Sequence, residues 1–351
     1  MKIYLHIGTE KTGSSHLQSI AAINREKLTE AGIWFPEAGK RERQLLKGEI
    51  SAGNAQDITD ALNSDNYDTC SEIIAGHIGK AIELGCHSLL LSNELLVLAL
   101  ADENRLKRFI KLLQTRGCTE TAYLLFIRDP VSHALSLYKH RAKSGTAPDI
   151  EQWPQEHYLY GTGLLSFLKN TEKEKLPLTC RKFSKKSGAL EKILFHEWLG
   201  TEIELTPPPA VVNPSLSLSE LLLIRKVREH RPKLANILYD RLLAVEKGYK
   251  AENTDIDRYH RDVLSGFLVQ FEETWRICNV HLPDTEKITF PVNVDESSVT
   301  QKKTAAFSGR QLDEISAIIA DSLTFRFKLR VLWLTWRGRL GKLKKWLLRK
   351  A

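Results

Sequence analysis

The sequence predicts an α/β protein built on a parallel sheet with helices on both faces, and three observations carry that reading. Residues 2–7, 86–94 and 121–130 are short segments of strand length built on apolar runs such as 89–91 and 122–127, without the alternation of a half-exposed strand. Segments with helical spacing separate them, which is the pattern of strands joined by helical crossovers. The chain has 351 residues, 42% of them hydrophobic, enough for a substantial core in one large domain with an appendage or in two domains.

Taken in order, residues 2–7 form the first strand, and from Ser15 a helical pattern opens with Leu17, Ile20, Ala21 and Leu28 at helix spacing. Between them lies GTEKTGSS, residues 8–15. Residues 32–36 read as a short strand or turn, and the polar stretch to about residue 69 as loop and short helix. An amphipathic helix follows over 71–84, then the strand 86–94, which stops abruptly at polar residues. Residues 104–114 read as a helix and 121–130 as a buried strand ended by Pro130, which suits the first turn of the next helix. A strand and helix over 178–200, a helical stretch from 217 to about 247 interrupted at Pro232, and a helix over 257–278 follow. The expected organisation is a domain over 1–324, with a core over about 1–200 and a helical region over about 201–324, and a separate tail over 325–351.

Ligands of open parallel sheets sit outside the carboxyl ends of the strands, which selects residues 9–15, 92–94 and 128 onward. A glycine-containing turn between strand and helix lets successive backbone N–H groups converge, and the first helical turn adds unpaired amides at the positive end of its dipole. That geometry holds a phosphate or sulfate. The loop is P-loop-like, since Gly8 and Gly13 have the separation of the nucleoside-triphosphate pattern G-x-x-x-x-G-K-[ST]. The pattern nevertheless fails at its lysine, because Ser14 follows Gly13 and Lys11 lies two residues before it. At the later strand end, Arg128 is followed by Ser136 eight residues on, two turns into the next helix. A planar guanidinium matches a phosphate bidentately, and a hydroxyl on the same side completes the site.

Lys11-Thr12-Gly13-Ser14-Ser15 after the first strand, and Arg128 with Ser136 after a later one, resemble the two phosphate motifs of sulfotransferases that use 3′-phosphoadenosine 5′-phosphosulfate (PAPS). The likeness is specific over residues 1–145, weaker over 178–200, and over 212–227 looks like a segment of bacterial carbohydrate sulfotransferases; beyond residue 254 it is thin. The resemblance implies a sulfotransferase fold, PAPS as donor, 3′-phosphoadenosine 5′-phosphate (PAP) as product, no metal, and in-line transfer to a hydroxyl of a glycan or glycolipid. It implies that Lys11 serves the oxygen bridging sulfur and 5′-phosphate, that Thr12, Gly13, Ser14 and Ser15 bind the 5′-phosphate, and that Arg128 and Ser136 hold the 3′-phosphate. Glu94, ending an apolar strand, is expected as the base for the acceptor hydroxyl, and its Ser-Asn-Glu setting resembles that of heparan-type sulfotransferases.

Other readings stand beside this one. The acceptor is alternatively a small-molecule or lipid alcohol, and the chain alternatively a nucleotide kinase with a degenerate loop or a non-catalytic membrane-associated nucleotide-binding protein. His6 reads as a satisfied core or supporting histidine and is next in line as base; Glu10 reads as tuning Lys11 or facing solvent. His133, His140 and Arg141 share the helix after Arg128 and read as exposed helix polarity or, alternatively, as lining the acceptor cleft, and Lys302, Lys303 and Arg310 carry no assignment, although the family often closes a loop over the nucleotide in that region.

Charge separates the body from the tail. The formal charge is +8, from 51 basic and 43 acidic residues, but ten Lys and Arg and no Asp or Glu lie in 326–351, leaving 41 basic against 43 acidic before them. The body therefore has no electrostatic footprint for nucleic acid. In the tail, Leu329, Leu332, Trp333, Trp336, Leu340, Leu343 and Leu347 form one apolar stripe on a helix, flanked by basic residues, the composition of an interfacial helix on anionic lipid or, alternatively, of a terminal helix docked on its own domain or a partner. The amino terminus has no signal-peptide pattern and no window offers the ~20 apolar residues of a spanning helix. A cytoplasmic protein, peripheral on the inner face of the membrane, is expected. Five scattered cysteines without a C-x-x-C pair are expected to be free thiols. Nothing in the sequence speaks to oligomeric state.

Overall fold

The computed structural model describes residues 1–49, 51–142, 147–208, 216–245, 255–289, 307, 309–322, 329, 330, 332, 333 and 336. The chain divides into two compact units, Met1–Leu137 with Ile150–Asn213 and Val263–Asp295, and Tyr138–Asp149 with Pro214–Asp262 and Glu296–Ala351.

The first unit is α/β. Strands β1 (Lys2–His6), β2 (Ile33–Trp34), β3 (Ser88–Ser92), β4 (Glu120–Ile127) and β5 (Leu178–Lys182) form one sheet in the order β2-β3-β1-β4-β5, with every pair parallel. All five residues of β3 and the last five of β4 are buried, as a sheet covered on both faces requires. Tyr4, Leu90, Leu124 and Phe126 share one cluster with Leu17, Ile20 and Ala21 of the first helix, Ser14–Ile23, and with Leu28. These are the positions the helical spacing selects. Each large apolar side chain buried there contributes about 1.5–3 kcal/mol.

Local signals set the flanking helices. The Asn66 side chain accepts from the Thr69 N–H at 3.1 Å to open Tyr67–Glu83, and Asp102 accepts from Arg105 N–H at 2.8 Å to open Glu103–Thr115. A cap of this kind is worth about 1 kcal/mol. Pro130 begins the helix Pro130–Ala142, as its missing N–H allows.

Two expected helices differ. The segment read as one helix over 257–278 is Asp255–Leu268, a 3₁₀ turn at Val269–Phe271, and Glu272–His281. Within the first unit, Phe267 and Phe271 both pack on Tyr158 at 6.3 Å between ring centroids, and Phe271 fills the space beside Gly161. The helix expected before Gly200 opens at Ala189 and widens into a π-helix over Lys192–Trp198, where Leu199 N–H reaches Leu194 O at 3.0 Å. Leu190 of the opening turn and Ile193, Leu194 and Phe195 of the wider one are buried in the core. The helices Trp153–His157 and Tyr160–Lys173 occupy a stretch where the sequence pattern predicts no element.

The second unit is helical. A capping box of Ser217 and Glu220 opens Leu218–His230, and Pro232 begins Pro232–Val245, so the interruption at Pro232 is where the sequence puts it. Arg241 pairs with Glu314 of the helix Gly309–Ser322 at 3.2 Å. Arg310 is exposed on that helix, whereas Lys302 and Lys303 lie outside the described residues. Of the tail, Leu329, Leu332, Trp333 and Trp336 are exposed at 51–66%, and Leu340, Leu343 and Leu347 lie outside the described residues. Among the described residues no helix is long and apolar enough to cross a membrane. All five cysteines are free; Cys70, Cys86, Cys180 and Cys278 are buried and Cys118 is partly exposed.

Candidate active site

The chain leaves β1 toward β3 and β2 but leaves β4 toward β5, so the connections diverge between the two neighbouring central strands. That divergence opens a crevice at the carboxyl ends of β1 and β4. The loop after β1 follows β4 first, with Ile7 N–H donating to Leu124 O at 3.0 Å and Thr9 N–H to Phe126 O at 3.4 Å. Gly8 has φ 101°, and a Cβ there would lie 2.2 Å from the Glu94 carbonyl oxygen. Only glycine fits. This close approach brings the end of β3, and with it Glu94, against the loop.

Lys11 and Gly13 then take positive φ, 61° and 84°, on either side of Thr12. Left-handed residues interspersed in a loop turn successive amides to one side, and a non-glycine residue enters that region at a cost of roughly 1–2 kcal/mol. Gly13 precedes the first helix, whose first turn carries no acidic residue. The hydroxyls are engaged inside the protein. Thr12 and Ser14 donate to the Thr9 carbonyl and Ser15 to that of Ser51, so in this arrangement they brace the loop.

Arg128 follows β4 directly. Its Nη1 donates to the Lys11 carbonyl at 2.9 Å, and its guanidinium lies over the Phe183 ring at 5.1 Å. No sequence motif singles out Phe183. Ser136 is partly exposed two turns into the Pro130–Ala142 helix, one turn beyond His133.

Asn93 shapes the end of β3. Its N–H donates to His6 O at 3.0 Å, its side-chain amide to Ala52 O at 2.7 Å and Gln56 Oε1 at 2.9 Å, and its Oδ1 accepts from Leu95 N–H at 2.7 Å. Glu94 stands between, partly exposed. The charges of Glu10 and Glu94 both reach the Tyr160 hydroxyl, whose pKa is held well above its ordinary value, first by burial and then by these carboxylates.

His6 meets its expectation by half. Nδ1 pairs with Ser92 Oγ at 2.8 Å, a hydroxyl that also accepts from Gln18 Nε2 at 3.1 Å, while Nε2 has no partner among the described residues. Burial lowers its pKa to about 4, and at 1% exposure the ring is closed off from any acceptor. His133 departs from its expectation. It is buried, not part of an exposed polar face, with Nε2 3.0 Å from the Glu10 carbonyl and Nδ1 3.0 Å from the Tyr158 hydroxyl. Burial first, then the positive charges of Arg128 and Lys11, bring its pKa down to about 3. Glu10 is likewise 7% exposed, not open to solvent, and pairs with Tyr160.

The arrangement therefore gathers a lysine, an arginine and a helix N-terminus without first-turn acid at the carboxyl ends of β1 and β4, with a partly exposed carboxylate beside them. No protein-family model, no curated protein and no solved structure matches the chain.

Proposed function

We propose that this protein is a PAPS-dependent sulfotransferase that sulfates a hydroxyl of a glycan or glycolipid. The observation that carries the reading is the meeting of Lys11 and Arg128 at the β1–β4 divergence, on a loop with two left-handed residues leading into a helix without first-turn acid. The residues fit a donor with phosphates at both ends: amides at Gly13, Ser14 and Ser15 for one, Arg128 with Ser136 for the other. When bound, PAPS supplies an activated sulfuryl group joined to its 5′-phosphate.

The residues divide the work. Lys11 compensates charge at the bridging oxygen, where an ammonium on a flexible stem follows the developing anion. Glu94 accepts the proton of the acceptor hydroxyl, and the loop amides keep the 5′-phosphate fixed so that attack and departure stay in line. The kinase reading is disfavoured by the absence of a lysine after Gly13. A glycan or glycolipid is favoured over a small alcohol by the glutamate base and by the basic, apolar tail, whose exposed Leu329, Leu332, Trp333 and Trp336 suit an anionic membrane surface near a lipid-linked acceptor.

Thermal shift tests the donor: PAP should raise the melting temperature well above the effect of ADP. Equal shifts would overturn the reading, and a shift with ATP and magnesium alone would favour the kinase. Transfer of labelled sulfate from PAPS to fractionated cell extracts identifies the acceptor.

A further inference from the structure

Glu10 takes no part in the proposed reaction, yet both of its peptide groups are held by buried side chains. Its N–H donates to the Tyr160 hydroxyl at 3.0 Å, and that hydroxyl donates back to Glu10 Oε2 at 3.3 Å. Its carbonyl oxygen lies 3.0 Å from His133 Nε2. A carbonyl oxygen only accepts, so Nε2 carries the imidazole proton and Nδ1 accepts from the Tyr158 hydroxyl, 3.0 Å away. Donation therefore runs one way, from Tyr158 to His133, from His133 to Glu10, and from Glu10 to Tyr160, which returns it to the Glu10 carboxylate. The rings interlock edge to face, His133 with Tyr160 at 4.7 Å and with Tyr158 at 5.8 Å between centroids.

The residue after Glu10 is Lys11, whose φ of 61° an L side chain adopts only under restraint. Arg128 fastens the other side of that residue through the Lys11 carbonyl. Packing alone would be met by phenylalanine and leucine at 160 and 133; what these two side chains add is an acceptor for one peptide group of Glu10 and a donor to the other.

We propose that Tyr160 and His133 are positioning residues of this site, clamping the peptide groups of Glu10 so that Lys11 stays left-handed and its ammonium and the following amides converge on one anion. The proposal rests on the anion-binding reading of the loop, and its test keeps the two apart.

Tyr160→Phe removes one oxygen and keeps the ring. In the full-length protein without ligand, amide exchange at residues 8–13 should quicken at least tenfold while the sheet is unchanged. PAP affinity should fall about tenfold, and the losses from Tyr160→Phe and Lys11→Ala should combine to at least fivefold less than their product, because the clamp acts through Lys11. His133→Gln, which keeps an N–H near the Nε2 position, should hold PAP affinity within threefold of wild type, where His133→Leu loses about tenfold. Unchanged exchange in Tyr160→Phe, losses that multiply in full, or His133→Gln and His133→Leu behaving alike would each overturn the clamp. If the wild type binds no PAP, the donor assignment fails, and the exchange comparison still decides the clamp. If Tyr160→Phe does not fold, exchange in His133→Gln against His133→Leu decides it.

Discussion

The two sides of the crevice are built differently. On the β1–β4 side, the loop takes its turn from its own backbone, with two glycines of positive φ, a left-handed lysine and hydroxyls tied to the Thr9 carbonyl, and Arg128 is bonded to the peptide of Lys11 from the end of β4. On the β3 side, Glu94 follows a strand and is set by distant partners, since Asn93 fastens the turn to Ala52, Gln56 and His6. The first side is a local turn fastened from outside by Arg128, His133 and Tyr160; the second is a strand end placed wholly by the fold. The proposed anion site therefore asks for particular residues at fixed spacing, whereas the proposed base asks only for a carboxylate that the fold delivers.

The largest effect is expected where the two sides touch. Gly8→Ala puts a methyl 2.2 Å from the Glu94 carbonyl at a φ of 101°, so loop and β3 end must separate. PAP binding and sulfate transfer should both vanish, with a stability loss of about 3 kcal/mol in denaturant titration. If Gly8→Ala keeps either function, the sides are not coupled as described.

Next in size are substitutions that divide them. Glu94→Gln should lower transfer by roughly 10²–10⁴-fold and leave PAP affinity within about twofold, as a general base acts on the acceptor. Lys11→Ala should lower both. Arg128→Ala should cost about 1.5–3 kcal/mol of PAP binding, the worth of a bond to a charged group, and erase the preference over ADP. Calorimetric titration of the three variants checks the division, and an equal loss of PAP affinity in all three would dissolve it.

Protonation comes third. His6 and His133 have pKa values lowered to about 4 and about 3, against 6.5 in the unfolded chain, so the unfolded chain binds protons more readily. Their contribution to stability is complete above about pH 6.5 and is lost as pH falls toward those folded values, approaching 1.4 kcal/mol per pH unit for each. At pH 5 the loss is on the order of 2 kcal/mol per histidine. His133→Gln should remove one such increment from the difference between pH 7 and pH 5, measured by denaturant unfolding. Because Arg128 helps keep His133 neutral, Arg128→Ala should raise its pKa and flatten the same limb, whereas Glu94→Gln should not.

The smallest effect on catalysis is expected from the tail. Each basic residue near an anionic surface contributes about 1 kcal/mol, so the protein should sediment with acidic vesicles at low salt and less at high salt. Truncation after Thr324 should abolish that and leave PAP binding intact. Binding indifferent to lipid charge would remove the membrane from the proposal.

Much of the fold and of the site is legible along the chain. The three central strands, the helix starting near Ser15, the break at Pro232 and the strand-end positions of Lys11, Glu94 and Arg128 follow from apolar run length, helical spacing and turn chemistry, which act over a few residues. Tyr160 carries no such signal, because its helix lies 150 residues from Glu10 and the pair meets only in the fold. His133 looks like helix polarity until the loop is laid over it. The straight helix expected over 257–278 fails for a related reason: its spacing is continuous, and the turn at Val269–Phe271 answers to the packing of Phe267 and Phe271 on Tyr158.

By itself, the sequence determined a covered parallel sheet and a glycine-bounded turn between its first strand and helix, because strand burial and left-handed turns are demands on neighbouring residues. Only the tertiary structure decided that Arg128 grips the Lys11 peptide, that Gly8 rests on Glu94, and that His133 and Tyr160 close on Glu10. Those contacts join residues 86 to 150 positions apart, and no pattern along a chain records a distance that depends on how the whole sheet is ordered.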